Sequence, residues 1–371
     1  MKHTTKFIGL DVSKDKISVA VADAGRDEPR FVGHFPHKLE FVKKIMRQLG
    51  NAENLEVCYE AGPTGYVLFH WLTALGITCK VIAPSLIPVR TGDQIKTDKR
   101  DALRLATLFR AGELTAVHVP TPEQEALRDL VRSREDAKED LHRDRQRVLK
   151  LLLRRQISHP PAIKNRWTRN YREWLTSLKW ERESDQLMFQ EYLQAIHESE
   201  SRLQRLEASI IQYAQKGALG PVVKALQVLK GVAIISALTL VAEIGCFTRF
   251  RNPAMLMAYL GLVPREHSTG LSTRRGSITK AGNRGVRRTL VESSWSYRHK
   301  PSIGRELRKR MEGQEGELLA VSWRAQIRLN SKYCKLVYRG KESNVAVTAV
   351  ARELVGFIWE IACKVERSVT A

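Results

Sequence analysis

The stretch FIGLDVSKDKISVAVA, residues 7–22, decides the fold of the N-terminal part of this chain. Two apolar and β-branched runs, Phe7 to Val12 and Ile17 to Ala22, are separated by a polar turn at Ser13 to Lys16. Short apolar runs bounded by a polar turn are typical of consecutive β-strands. The stretch therefore predicts two strands, and the first of them carries an acidic residue, Asp11, close to its end.

Strand and helix signals continue in a recognisable order through the first hundred residues. Further strands are predicted at Arg30 to Phe35, Leu55 to Tyr59 and Ile77 to Ala83, and helical spacing of apolar residues separates them. Three strands followed by helix, strand, helix and strand is the order of an RNase H-like α/β sheet, whereas a Rossmann domain alternates from its start. In a sheet of this order, the first and fourth strands are neighbours.

Four acidic residues stand at the ends of these predicted elements. Asp11 ends the first strand and Glu60 follows the fourth, while Asp98 and Asp101 lie three residues apart in KTDKRDALRLA, residues 96–106, at the start of a helix. A carboxylate among apolar neighbours is costly to bury unless a cation offsets its charge. The four acids therefore predict a site for Mg²⁺ or Mn²⁺, and two such ions can promote phosphoryl transfer.

Each of these acids also has an ordinary structural interpretation. Asp11 alone is typical of a turn, Glu60 of a helix entry, and Asp98 of a helix N-cap, with Asp101 favoured in the first helical turn. The actin-like sugar kinases and ATPases share the sheet order, but they repeat the first motif in a second half and add a Gly-rich adenosine loop. Neither feature is found in the sequence, so the metal site is the preferred interpretation.

Length and charge limit the class of protein. The chain has 371 residues, which suggests two to three domains of about 150 residues. Its net charge of +22 favours a polyanionic partner, DNA first. No apolar run is long enough to span a membrane, and the N-terminus lacks the features of a secretory signal, so we expect no membrane span and a cytoplasmic protein. Five scattered cysteines indicate neither a disulfide framework nor a zinc site.

The middle of the chain predicts two long helices. A charge-dense helical pattern runs from Leu127 to Arg155 and ends at His159-Pro160-Pro161, and a second helix repeats Ile196, Leu203 and Ile210 every seven residues. This pattern predicts a helical coiled-coil arm for dimerisation or interdomain spacing, with nucleic-acid contact as the alternative. The predicted domains are residues 1–125, 126–216 and 217–371, the last of them mostly α-helical.

A basic, glycine-punctuated segment, residues 261–288, lies in the C-terminal domain. Glycine lets a backbone approach phosphate closely, and guanidinium groups bind phosphate through two hydrogen bonds, so the segment predicts a nucleic-acid-binding surface rather than a solvated Arg-rich loop. Its predicted phosphate-binding residues are Arg265, Arg274, Arg275, Lys280, Arg284, Arg287 and Arg288. Ser268 and Thr269 precede Gly270, where a turn would present a hydroxyl group; such a turn is usually only structural, but either side chain is a candidate nucleophile.

Five ordered motifs resemble a known family over nearly the whole chain. They are GLDVSK (9–14), CYEAGPTGY (58–66), KTDKRDA (96–102), YLGLVPREHSTG (259–270) and ITKAGNRGVRR (278–288). Together they resemble the DEDD transposases of the IS110 insertion sequences, with the IS1111 subgroup as a possible placement. The resemblance implies a RuvC-like N-terminal domain, a coiled-coil middle and a C-terminal transposase domain with a nucleophilic serine.

The resemblance also assigns residues and an activity. Asp11, Glu60, Asp98 and Asp101 match the metal-binding acids of the family. The family serine often stands directly before the glycine, where this chain has Thr269, and Ser268 stands one residue earlier; Ser268 is the preferred nucleophile, with Thr269 as the substitute. The implied enzyme is a homo-oligomer, dimer or tetramer, that excises and inserts its element through a circular intermediate. A noncoding guide RNA encoded by the element would pair with donor and target DNA.

Two other functions remain open from the sequence. A hydrolytic RuvC-like nuclease or resolvase would use only the four acids and water, and its C-terminal segment would merely bind DNA. A nonenzymatic nucleic-acid-binding protein would keep the basic surface and a degenerate metal site. A covalent protein–DNA adduct separates the recombinase from the nuclease, because a hydrolase forms none.

Overall fold

The computed structural model describes residues 5–88, 97–217, 219–269 and 272–370, and the chain divides into two compact units, Met1–Pro120 and Thr121–Ala371. The domain boundaries predicted at residues 125/126 and 216/217 stay predictions. The strands and α-helices of the N-terminal unit are, in order, β1 (Lys6–Val12), β2 (Lys16–Asp23), β3 (Arg30–Pro36), α1 (Leu39–Leu49), β4 (Leu55–Glu60), α2 (Val67–Ala74), β5 (Thr78–Ile82) and α3 (Asp98–Arg110). The five predicted strands are therefore confirmed.

The five strands form one sheet in the order β3-β2-β1-β4-β5. β2 pairs antiparallel with β1 and with β3, whereas β4 pairs parallel with β1 and with β5. The prediction that the first and fourth strands are neighbours is confirmed. Because β1 and β4 are parallel, their carboxyl ends, where Asp11 and Glu60 lie, meet at one edge of the sheet.

The two faces of this sheet are covered differently. On one face Leu10 and Tyr59 are fully buried in a core of large side chains shared with α1 and α2. On the other face α3 packs on β1 and β2 through small residues, Ala20 and Ala22 of β2 against Ala102 and Ala106 of α3. The small residues allow the helix backbone to approach the strands closely.

Gly9 makes this close approach possible. A Cβ atom added at Gly9 would lie 2.5 Å from the carbonyl oxygen of Ala102 and closer still to the amide nitrogen of Ala106. Real Cβ atoms do not come this close to backbone atoms, because both would have to share the same space. Gly9, the glycine of the GLDVSK motif, therefore allows α3 to pack directly on β1.

The direction of α3 follows from contacts at its two ends. Near its start, Asp98 forms an ion pair with Lys16, at the beginning of β2. Near its end, the ring of Phe109 contacts the ring of Phe7, at the beginning of β1, with centroids 5.8 Å apart. Helix α3 thus runs antiparallel to β1, and its first turn lies at the end of the sheet that carries Asp11.

The described residues of the C-terminal unit are mostly helical. Its strands and α-helices are, in order, α4 (Pro122–Arg154), α5 (Arg169–Ser177), α6 (Glu183–Lys216), α7 (Gly220–Leu226), α8 (Ile234–Ile244), α9 (Pro253–Tyr259), β6 (Pro264–Thr269), β7 (Ser272–Ile278), α10 (Arg284–Ser294), α11 (Arg305–Met311), α12 (Gly316–Tyr338) and α13 (Ser343–Thr370). The hairpin of β6 and β7 was not predicted from the sequence. No helix among the described residues is long and apolar enough to cross a membrane.

Helices α4 and α6 form an antiparallel pair. Ion pairs join Arg134 to Glu207 at 2.6 Å, Arg145 to Glu200 at 2.7 Å and Arg155 to Asp185 at 2.6 Å. Residue numbers therefore rise along α4 as they fall along α6. The two long helices predicted from the sequence are present. Coiled-coil packing of this arm stays a prediction.

Candidate active site

Asp11 and Glu60 lie on the face of the sheet that α3 covers. Leu10 pairs with Tyr59 between the parallel strands, and both side chains enter the core on the opposite face. Because side chains alternate along a strand, Asp11 and Glu60, the next residues, point to the α3 side. Neighbouring strands lie about 4.8 Å apart, so the two carboxylates belong to one edge of the sheet.

Asp98 and Asp101 occupy the first turn of α3 at the same end of this face. The predicted helix start and the i, i+3 spacing of the two acids are confirmed. The N-cap interpretation of Asp98 is wrong, because Thr97 is the N-cap and its side chain accepts a hydrogen bond from the Arg100 amide at 3.3 Å. The Asp98 carboxylate is thereby left for other partners.

Lys16 supplies a cation at this edge that the sequence did not predict. Its Nζ lies 2.5 Å from Oδ2 of Asp98. The hydrogen bond from Lys16 holds the pKa of Asp98 below its usual value, and the same bond, with added attraction from Asp11, raises the pKa of Lys16. Asp98 is therefore a carboxylate at neutral pH. Both side chains are substantially exposed, so the pair adds little to stability.

Ser18 and His34 extend the polar row across the sheet. Ser18 is the register partner of Asp11 on one side and of His34 on the other. Its buried hydroxyl lies 2.9 Å from Nδ1 of His34. Sequence reasoning missed both residues, although a serine inside the apolar run ISVAVA was a signal. The row Glu60, Asp11, Ser18 and His34 thus crosses four strands beside the first turn of α3.

The donor chemistry of this edge suits a hard divalent ion, because Mg²⁺ and Mn²⁺ take oxygen ligands. The structure brings the four acids to one end of one face of the sheet. They do not close into a metal centre: within residues 5–88, 97–217, 219–269 and 272–370, no three acidic, histidine or cysteine side chains are grouped tightly enough to hold an ion. Asp98 instead forms an ion pair with Lys16.

The candidate nucleophiles lie in the β6–β7 hairpin. Ser268 pairs with Thr273 and Thr269 with Ser272, so both belong to strand β6 rather than to a turn. The Gly270 position on which the turn was predicted is outside the described residues. Both side chains are exposed. The expectation of an accessible hydroxyl therefore agrees with the structure, although a strand presents it.

Glu266 organises the hydroxyl of Ser268. Ser268 Oγ donates to Oε1 of Glu266 at 2.8 Å, and Arg275 Nε donates to Oε2 at 3.2 Å. The bond from Ser268, followed by the Arg275 bond and charge, lowers the pKa of Glu266. An ionised Glu266 fixes the direction of the Ser268 O–H. Thr269 lies on the other face of β6, because neighbours along a strand alternate.

The seven predicted phosphate-binding residues divide into two groups. Arg287 donates to the carbonyl oxygens of Leu260 at 3.3 Å and Gly282 at 2.9 Å, Arg288 pairs with Glu135, and Arg275 pairs with Glu266. These three arginines already have partners within the chain, and phosphate binding by all seven residues stays a prediction. The other four residues, all exposed, are Arg265, Arg274, Lys280 and Arg284.

A five-stranded mixed sheet of this order, with acids at the ends of its two central strands, defines an RNase H-like domain. Comparison with known proteins agrees: a family model of DEDD transposases of the IS110 type matches residues 8–156, and a model described as the transposase IS116/IS110/IS902 family matches residues 223–308. The chain belongs to this transposase family, whose members cut and join DNA.

Curated relatives extend the similarity over almost the whole chain. It is 43% identical over 358 residues to a putative transposase of Sinorhizobium fredii, covering 96% of this chain and 88% of the relative. It is 32% identical over 347 residues to the transposase for insertion sequence element IS1533 of Leptospira borgpetersenii, covering 91% and 98%. A match to the IS1111A transposase of Coxiella burnetii is 35% identical over only 68 residues, 18% of this chain and 19% of the relative. The IS1111 placement therefore stays a prediction.

Proposed function

We propose that this transposase moves an insertion sequence by cutting and joining DNA with Mg²⁺ or Mn²⁺ held by Asp11, Glu60, Asp98 and Asp101. The observation that supports the proposal is the convergence of two strand ends and the first turn of α3 on one face of the sheet. A bound divalent ion would neutralise charge on the scissile phosphate and activate the attacking oxygen. The carboxylates would bind the ion, and Gly9 would keep α3 close enough to the sheet for all four to contribute.

Removing the competing cation tests this metal site without measuring activity. Lys16→Gln is expected to bind Mn²⁺ more tightly than the wild type, because an ammonium group beside the carboxylates repels the ion. A unit charge about 5 Å from a divalent ion in water contributes about 1.7 kcal/mol, which corresponds to about a 15-fold change in affinity. Titration of Mn²⁺ followed by electron paramagnetic resonance measures the dissociation constant.

Lys14→Gln is the matched control, since Lys14 is exposed in the same turn and the substitution removes the same charge. Equal affinities for the two variants would show that Lys16 does not face the metal site. Weaker binding by Lys16→Gln would contradict the repulsion on which the expectation rests.

We also propose that Ser268 attacks the phosphodiester. Its Oγ would form a bond to phosphorus while the bond to one deoxyribose oxygen breaks, leaving the DNA strand covalently attached to the protein. Glu266 supports this assignment because it aligns the hydroxyl, and the exposed Arg275, its register partner on the same face of the hairpin, can neutralise phosphate charge. Thr269, on the other face of β6, is the substitute.

A covalent adduct is the expected signature of this step. When wild-type protein is incubated with Mg²⁺ and a labelled DNA carrying the element and its flanks, the label should migrate with the protein in denaturing electrophoresis. Treatment with proteinase should abolish this shifted band. Ser268→Ala is expected to lose the adduct, because the attacking hydroxyl is removed, and Thr269→Val is expected to keep it. Loss of the adduct in Thr269→Val but not in Ser268→Ala would identify Thr269 as the nucleophile. Cleavage by the wild type without any adduct would favour the hydrolytic nuclease.

We also propose the oligomeric state and the guide RNA that the family resemblance implies. We infer that the enzyme works as a dimer or tetramer through its helical arm, in coiled-coil contact, and that a noncoding RNA encoded by the element guides it to donor and target DNA. The net charge of +22 and the four exposed cations near the hairpin support binding to several nucleic-acid strands.

A further inference from the structure

The arm formed by α4 and α6 carries its charge unevenly. We define the shaft as residues 122–149 and 183–216, and the head as residues 150–182, which join the two helices at the distal end. The shaft has ten basic and fourteen acidic residues, whereas the head has nine basic and only two acidic residues. The excess of positive charge in the head is therefore not a property of the arm as a whole.

Most of the arginines of the shaft are held in ion pairs. Arg145 pairs with Glu200, Arg202 with Asp140 and Arg147 with Asp144, each at 2.9 Å or less. These pairs fix the two helices against each other. They also leave the shaft little unpaired positive charge with which to attract an anionic partner.

Most of the cations of the head are exposed and have no acidic partner. No acidic side chain among the described residues lies within ion-pair distance of six of them. These six are Lys150, Arg154, Lys164, Arg166, Lys179 and Arg182. Uncompensated like charges repel one another and destabilise a folded segment unless a partner neutralises them. Their accumulation at one end of the arm therefore points to an anionic ligand.

The head is a folded structure and not a loose connection. Leu152, Tyr171 and Leu175 are buried in its core. Trp167 adopts a left-handed backbone conformation with φ of 65°, which is strained for a bulky residue. Arg172 Nε donates to the Trp167 carbonyl oxygen at 3.1 Å, and the Arg145 guanidinium lies 5.2 Å from the centre of its ring. These contacts fix the loop that carries Lys164 and Arg166.

The head lies far from the core of its unit. Leu127 and Val131, near the start of α4, belong to the large core shared with α7 and α8. At 1.5 Å per residue, Arg154 at the other end of α4 lies about 35 Å from Val131. A cationic surface at this distance is placed to contact a ligand that extends well beyond the core.

We infer that the head binds the phosphate backbone of duplex DNA without reading its sequence. Phosphate is favoured because the head offers dispersed guanidinium and ammonium groups, while its tryptophans contribute to its own core and are not free to stack on bases. The shaft of a second copy is a poorer partner, because its ten basic residues offset most of its fourteen acidic residues and leave only a small net negative charge. DNA is the polyanion on which this family acts.

The salt dependence of DNA binding tests this inference. The full-length triple variant R154Q/K164Q/R166Q and wild type are titrated with a fluorescent 40-base-pair duplex of arbitrary sequence between about 50 and 300 mM NaCl. Each phosphate contact contributes about 0.9 to the slope of log K against log salt concentration, so three lost contacts lower the slope by about 2.7. We expect at least about a tenfold loss of affinity at the lowest salt concentration.

The triple variant R143Q/R147Q/R202Q is the matched control, because it removes the same charge from arginines of the shaft that are already paired. Its slope should stay within about one unit of wild type. An equal decrease in both variants, or no decrease in the head variant, overturns the inference. A head variant that changes only the oligomeric state in mass photometry, or that loses affinity for duplex RNA but not for duplex DNA, overturns it as well.

Discussion

Asp11→Asn is expected to reduce DNA strand cleavage by at least about a thousandfold while the protein stays folded. Asp11 lies at the centre of the polar row, between Glu60 on β4 and Ser18 on β2, so any ion bound at this edge would contact it. Asparagine preserves shape but removes the negative charge that holds the ion. Loss of about 4 kcal/mol of transition-state stabilisation corresponds to about a 10³-fold decrease in rate.

Asp23→Asn provides the matched control for this prediction. Asp23 ends β2 and pairs in register with Lys6, at the opposite end of the same sheet, so the same charge change is made away from the polar row. Cleavage and joining of the element DNA are measured over a range of Mg²⁺ concentrations, with thermal unfolding as the check on folding. Near-normal cleavage by Asp11→Asn, or an equal loss in Asp23→Asn, would exclude the proposed metal site.

Gly9→Ala should destabilise the N-terminal unit by about 3 kcal/mol, the upper part of the range for overpacked cores. The added methyl group would overlap the backbone of α3 at Ala102 and Ala106, and backbone cannot move aside as a flexible side chain can. Hydrogen exchange followed by mass spectrometry is the suitable measurement, because it reports on β1 and β2 separately from the C-terminal unit. A change of this size corresponds to about a 100-fold increase in the exchange of the most protected amides.

Gly62→Ala serves for comparison in the same unit. Gly62 needs no left-handed conformation, and the nearest atom to an added Cβ is the Glu60 carbonyl oxygen at 3.9 Å, an ordinary contact. Its effect on β1 exchange should be small. If Gly9→Ala leaves exchange in β1 unchanged, then α3 does not rest on this strand as described, and the placement of Asp98 and Asp101 loses its support.

The sheet and its acids could be predicted because their signals are local. Apolar runs such as ISVAVA report a buried strand, and the order of strands and helices restricts the topology to one in which β1 and β4 are adjacent. The place of Asp98 at the start of a helix follows from helical periodicity. None of these inferences requires knowledge of distant contacts.

The partners of these residues could not be predicted in the same way. The contact between Lys16 and Asp98 joins residues far apart in the chain and depends on how α3 crosses the sheet. The hydrogen bonds from Arg287 to backbone carbonyl groups could not be predicted either, because the sequence alone presents this arginine as a surface cation.

The β6–β7 hairpin escaped prediction for a different reason. The strands read PREHST and STRRGSI, in which polar residues occupy almost every position. Without an apolar face, the alternation that reveals a half-buried strand is absent. Backbone pairing alone defines these strands, so the position of Ser268 within β6 rather than in a turn emerged only from the structure.

The opposite charges of the head and the shaft have a mechanical consequence. The electric field of a polyanion attracts the positive head and repels the negative shaft. The resulting torque turns the head towards the polyanion. The arm would then meet a duplex end-on, at a single small footprint, instead of lying along it. Such a geometry gives reach without occupying the length of DNA on which cutting and rejoining take place.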